Sequence, residues 1–280
     1  MSNRNMIAPL LLAMMPVRVW LVVGVVVAVL TLLGGCTVLV LAPVSTQATS
    51  AANNLHYQCD GLIGPDPDLG TRAVPTPSET FAPEDLPTEN PFAKFTVEPG
   101  DSSVSDWMRA CAAVITSAPY LQAASTAPSA AYCAALVLSG ATVAEGGSDM
   151  ARLTRWVVYT ASVAAVTGRC DPVAVDAVPQ PTGRDACDSS TAVVSGRGKG
   201  AVVLPMTISE QAICGARVSG AATAGDLVFW DYRKFVPARV GIASGPDRMV
   251  APDPSTGKVV EQPIPTGSDV RIKRVLGGAA

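Results

Sequence analysis

The chain has 280 residues, 49% of them hydrophobic, a formal net charge of −3 and a single histidine. A mildly acidic balance with no basic stripe argues against a nucleic-acid surface. The seven cysteines form no CxxC pair and no Cys/His cluster, so no zinc centre is expected, and no cofactor.

Taken in chain order, the first strong feature is apolar. No charged side chain lies between Arg18 and Asp60 apart from His56, and residues 19–42 are almost wholly apolar. About 20 such residues at ~1.5 Å rise cross a hydrocarbon core of roughly 30 Å, so a transmembrane helix is expected over 19–42. Arg4 and Arg18 precede it and the next charges are acidic. Residues 1–18 are therefore expected to stay cytoplasmic, with the bulk of the chain extracytoplasmic and the cell membrane as a partner. Leu33-Gly34-Gly35-Cys36 also resembles a lipobox, in which Cys36 would be acylated. The apolar run continues through Ala42 and exceeds a signal-peptide core, which favours a retained helix. Both outcomes export the domain.

Removing Cys36 leaves Cys59, Cys111, Cys133, Cys170, Cys187 and Cys214. An even set in an exported domain is expected to form disulfides, whose connectivity the sequence leaves open. Residues 43–102 read as an extended spacer, because Asp60 to Pro99 holds eight prolines and an acidic excess. A helical subdomain is expected over 103–168. Ser105 or Asp106 can cap a helix with Trp107, Cys111, Val114 and Ile115 on one face. A second helix runs from Tyr132 to Leu138 and stops at Gly140. Ser148 can cap a third, with Met150, Leu153, Trp156, Val157, Thr160 and Ala164 on one face and Gly168 as its stop.

From about Gly225 the pattern is strand-like. Short β-rich runs at 226–230, 239–243, 248–251, 258–261 and 269–275 are separated by Gly, Pro, Asp and Ser turns. Helices followed by a small antiparallel sheet give an α+β class.

These strands carry a resemblance. Ala224-Gly-Asp-Leu-Val-Phe-Trp230, Arg239-Val-Gly-Ile242, Met249-Val-Ala-Pro252 and Gly257-Lys-Val-Val260 are similar to the C-terminal half of the NlpC/P60 cell-wall peptidases. Leu204-Pro205 and Ser209-Glu-Gln211 resemble that family's segment ahead of the first strand. The resemblance implies a papain-like domain over 169–280, with a cysteine nucleophile at a helix start, a histidine base on the sheet and an orienting polar residue. Carried over, the nucleophile position is Ser189, the base position Arg239 and the orienting position Val250. Arginine cannot accept a proton at neutral pH and valine cannot hydrogen-bond. Cys187 in place of Ser189 would still lack a base, since His56 is the only histidine, and no spacing recommends a Ser189/Lys199 dyad.

A degenerate, catalytically inactive domain is therefore expected. It would bind or scaffold at the bacterial cell wall or in an envelope-spanning apparatus, with peptidoglycan or envelope proteins as partners. The alternative is an active endopeptidase with a non-standard nucleophile. Arg239, Trp230 and Tyr232 are the candidate binding residues. Arg239 could contact peptide carboxylates, or simply pair with Asp226 or Asp231.

Overall fold

The computed structural model describes residues 51–69, 90–118, 126–141, 149–181 and 201–276. The apolar run 19–42, Cys36, Cys187, Ser189 and Lys199 lie outside the described residues. The chain divides into two compact units, Met1–Ala52 and Asn53–Ala280. Among the described residues no helix is long and apolar enough to cross a membrane.

Helix α1 covers residues 51–63. Helix α2 (Asp106–Ile115) starts at Ser105, whose hydroxyl accepts from the Met108 amide; such a cap contributes about 1 kcal/mol. Helix α3 (Pro128–Ala141) has no charged residue, and both ends extend past the expected Tyr132–Leu138. Helix α4 (Met150–Thr167) is capped by Asp149 rather than Ser148, and Gly168 ends it at φ 73°. The single turn α5 (Ile208–Gln211) carries a complete capping box between Thr207 and Glu210.

The strands are β1 (Ala216–Arg217), β2 (Leu227–Arg233), β3 (Val236–Ala243), β4 (Arg248–Pro252), β5 (Val259–Pro263) and β6 (Arg271–Arg274). They form one antiparallel sheet in the order β1-β6-β2-β3-β4-β5. The α+β class and the antiparallel sheet thus follow the sequence pattern. Strand alternation sorts the sheet residues by face. Leu227, Phe229, Val240, Ile242 and Val250 join Val137, Leu138, Val157, Val158 and Ala161 of α3 and α4 in the main core. Val228, Ala243, Met249 and Ala251 form a smaller cluster with Trp230, Val270 and Ile272 against it.

Two stretches read as spacer from the sequence are packed. Cys59, Leu62 and Ile63 of α1 are buried against Trp107, Cys111 and Ile115 of α2. Phe92 and Phe95 pack on the same cluster, and the Asn90 amide donates to the Ile115 and Ala118 carbonyls at 2.6 and 3.1 Å. The proline count concealed these few anchors.

What joins α1 to the sheet is a buried carboxylate. Asp60 is fully buried, and its Oδ1 accepts from Arg271 Nη2 at 2.5 Å. Its Oδ2 lies 2.6 Å from Arg217 Nη1, an ion pair off the hydrogen-bonding direction. Arg271 Nε also donates to the Asp60 carbonyl at 3.1 Å. The Arg217 guanidinium lies 4.5 Å over the Tyr57 ring. Burial raises the Tyr57 hydroxyl above its usual range.

The β2–β3 turn bends to meet this layer. Lys234 and Phe235 have φ of 48° and 66°, the left-handed pair a two-residue hairpin requires, without the Asn or Gly that usually supplies it. Each costs about 1–2 kcal/mol, which packing of Phe235 against the α1–α2 cluster offsets. Asp231, at φ 57°, breaks the alternation of β2. A Cβ on Gly64 would stand 2.4 Å from the Tyr232 ring, so that contact requires glycine.

Disulfides join Cys59 to Cys111 and Cys133 to Cys170, and Cys214 is also disulfide-bonded. The Cys59–Cys111 bridge closes a separation of 52 residues, so replacing both with alanine should lower unfolding stability by about 3–4 kcal/mol, read from urea denaturation. Asp60→Asn leaves two guanidinium groups without their buried counter-charge, and the same measurement should show a loss of about 3–5 kcal/mol.

Candidate functional site

A groove of about 370 Å³ opens where the sheet splays. The β3–β4 ladder holds at Ile242↔Val250 and Ala243↔Met249 and goes no further. Beyond it β4 runs into Pro252 and Pro254, which have no N–H to give a neighbouring strand. Residues 236–240 of β3 have no strand partner on their β4 side among the described residues. The N-terminus of α4 covers the opening. The lining is Asp149, Met150 and Ala151 from α4 and its cap, Ile208 from α5, Trp230 from β2, Ala238, Arg239 and Val240 from β3, and Pro252 and Pro254.

The start of α4 is held in place by a buried glutamine. Gln211 is fully buried, and its Nε2 donates to the Ala151 and Pro205 carbonyls, both at 2.9 Å. Its Oε1 accepts from Thr154 Oγ1 at 2.7 Å. The side chain thus uses both amide protons and its carbonyl oxygen, tying the first turn of α4 to the turn that carries Ile208. Arg155, 5% exposed, reinforces the link by donating from Nε to the Leu204 carbonyl and from Nη2 to the Pro179 carbonyl, each at 2.9 Å. Burial lowers its guanidinium from the usual range.

Arg239 and Trp230 face each other across the β2–β3 ladder. The Arg239 side chain is 45% exposed, with Nε 3.5 Å from Asp231 Oδ2. Asp231 also accepts from Arg233 Nη2 at 2.9 Å, and that hydrogen bond, ahead of the nearby positive charges, holds its carboxyl below the usual range. Asp226 is engaged elsewhere: its oxygens take a bidentate contact from Arg274 at 2.9 and 2.7 Å, and it accepts from the Thr223 amide at 2.8 Å. Of the two acids considered for Arg239, Asp231 is the one in contact.

The candidate residues are therefore partly gathered. Arg239 and Trp230 line the groove. Val250 is 1% exposed and belongs to the main core. Tyr232 lies against Gly64, its hydroxyl buried with no hydrogen-bond partner among the described residues, and burial raises its pKa strongly. Ser189 lies outside the described residues. The helix start that does line the groove with Arg239 is that of α4, where Asp149-Met150-Ala151-Arg152 stands. Sequence reasoning took Met150 only as a core residue. Its place directly after a capping aspartate was the available signal.

Chemically the lining is an apolar and aromatic trough with one cation and one anion, Arg239 and Asp149. Asp149 is occupied in capping, its Oδ1 accepting from the Arg152 amide at 3.1 Å. Met150, 4% exposed, presents a thioether, which neither ionises nor attacks acyl carbon at neutral pH.

Gln211→Leu should leave the Pro205 carbonyl without its side-chain donor and untie the first turn of α4 from the turn that carries Ile208. The expected loss is about 2–4 kcal/mol in chemical denaturation, with increased amide exchange in the first turn of α4. No family model matches the sequence, and comparison with characterised proteins and with solved structures gave no match either.

Proposed function

We propose that this chain is a membrane-anchored, extracytoplasmic binding protein whose groove is a disarmed counterpart of an NlpC/P60-like cleft. In this reading it holds peptide of the bacterial cell wall, or of an envelope-spanning apparatus, without cutting it. The observation that carries the proposal is the meeting of the α4 N-terminus with Arg239 in one groove. A thiol–imidazole pair would need a helix start and a sheet residue lining one groove, and the residues that line this one from α4 and β3 include Met150 and Arg239. The thioether cannot be deprotonated and the guanidinium cannot act as a base.

A peptide ligand suits the remaining geometry. The β4 side of residues 236–240 offers main-chain groups to an added strand, and Arg239 offers a fixed charge to a carboxylate. Trp230 and the two prolines supply apolar contact area.

Sedimentation of the purified full-length protein with insoluble peptidoglycan tests this. Retention by the wall is expected, weakened on the order of ten-fold by Arg239→Ala and comparably by Trp230→Ala. Release of cleaved stem peptides from the wall would overturn the disarmed reading. Absence of co-sedimentation would overturn wall binding and leave a protein partner as the ligand.

A further inference from the structure

The joint between α1 and the sheet contains a third cation for which its single carboxylate has no room. Lys273 of β6 is paired with Arg217 of β1 on one side and Leu227 of β2 on the other, and it is 3% exposed. Its Nζ donates to the Gly61 carbonyl at 3.3 Å, a long contact. Among the described residues no carboxylate pairs with it, because the two oxygens of Asp60 are taken by Arg271 and Arg217.

The other groups around it offer no compensation. From α1, Tyr57 presents a phenol under the Arg217 guanidinium, and from β2, Tyr232 presents a second buried phenol. Arg271, two residues along β6, is already committed to Asp60 and to the Ser268 carbonyl. Arg274 is paired with Asp226. Asp269 accepts from the Asp231 amide at 3.0 Å. His56 is stacked on Trp107, with Nε2 3.2 Å from Asp66.

A protonated Lys273 would put three cations, Arg271 and Lys273 buried and Arg217 half-buried, around one carboxylate, while the neutral amine leaves two. We propose that this joint is a pH-operated latch, closed over β1 and β6 while Lys273 is a neutral amine and loosened as Lys273 takes up a proton. Burial, followed by the charge of Arg217, lowers the amine from 10.5 to about 7 in the closed arrangement.

The sign follows from linkage. In the opened joint Lys273 meets water and keeps its proton up to its ordinary value, so closing releases a proton between about 7 and 10.5. Closure is therefore favoured as pH rises through that window. The opened fraction grows about ten-fold for each unit of pH lost within it and levels off below about 7. A helix of this length is marginal in water once unpacked, so opening exposes its amides. The Cys59–Cys111 bridge keeps α1 on α2 throughout, so the movement is of that pair away from β1 and β6.

Amide hydrogen exchange of residues 53–63 in the full-length protein, corrected for chemical exchange and followed from about pH 9 to about pH 6, tests the latch. Protection should fall about ten-fold per unit down to about pH 7 and then flatten, while the α4 amides hold steady. Lys273→Met, uncharged and of similar length, should keep high protection at every pH. Selective 13C NMR of lysine Cε in the wild type should show one lysine titrating at the pH where the exchange curve flattens. A flat wild-type profile, a slope that survives Lys273→Met, or lysines that all titrate near their ordinary value would each overturn the proposal.

Discussion

Everything on the β1–β6 side of this molecule depends on one buried carboxylate. Asp60 reaches from α1 to Arg271 and Arg217 on two adjacent strands, and the Asp60 carbonyl takes a further contact from Arg271. Burying these charges singly would cost several kcal/mol each, so the fold holds only if they arrive together. That requirement makes α1 part of the domain rather than part of a spacer. It also explains why a strand reading Arg-Ile-Lys-Arg can lie inside a sheet: Arg271 and Lys273 face α1, and Arg274 is taken by Asp226. The disulfide to Cys111 then fixes α1 to α2, so an electrostatic contact on one face is backed by a covalent one on the other.

The opposite half of the sheet is built on different physics. There α3 and α4 cover β2, β3 and β4 with aliphatic side chains, and the polar exceptions Gln211, Arg155 and Thr154 are hydrogen-bonded. Gln211 and Arg155 use their donors on the Ala151 carbonyl of α4 and on the Pro205, Leu204 and Pro179 carbonyls, which lie outside helices and strands. Their effect is to fix where α4 begins. Because β4 leaves β3 at its prolines, a fixed helix start over a splayed strand pair leaves a groove with defined walls. The groove is thus a by-product of sheet termination and helix capping, and its chemistry is set by whichever residues occupy those positions.

Those occupants bear directly on function. A helix N-terminus facing a sheet edge is suited to activating a thiol next to a base. With Met150 and Arg239 in its lining, the groove combines a permanent cation with apolar walls, beside a stretch of β3 that has no strand partner on its β4 side among the described residues.

Much of the fold was legible in the sequence because it was local. The Ser105 cap, the Gly168 stop and the β-rich runs of β2 to β4 are short-range signals, and each appears where its pattern pointed. Arg239 and Trp230 could be named as candidates because their strands carry recognisable runs. Other features could not be read locally. Helix α1 carries polar residues where a core helix would be apolar, since Asp60 is neutralised only by residues more than 150 positions away. The two-residue strand β1 has no pattern of its own and exists because β6 pairs with it. Tyr232 looked like a neighbour of Trp230 on one strand face, but the left-handed backbone at Asp231 sends it to the α1 side. Met150 read as one more apolar residue of a helical stripe, and the fold also sets it in the lining of the groove. Periodicity and capping are properties of neighbours in the chain, so the sequence alone decided which segments become helix or strand. Charge pairing, strand splaying and groove formation depend on contacts between distant segments, so those were decided only by the tertiary structure.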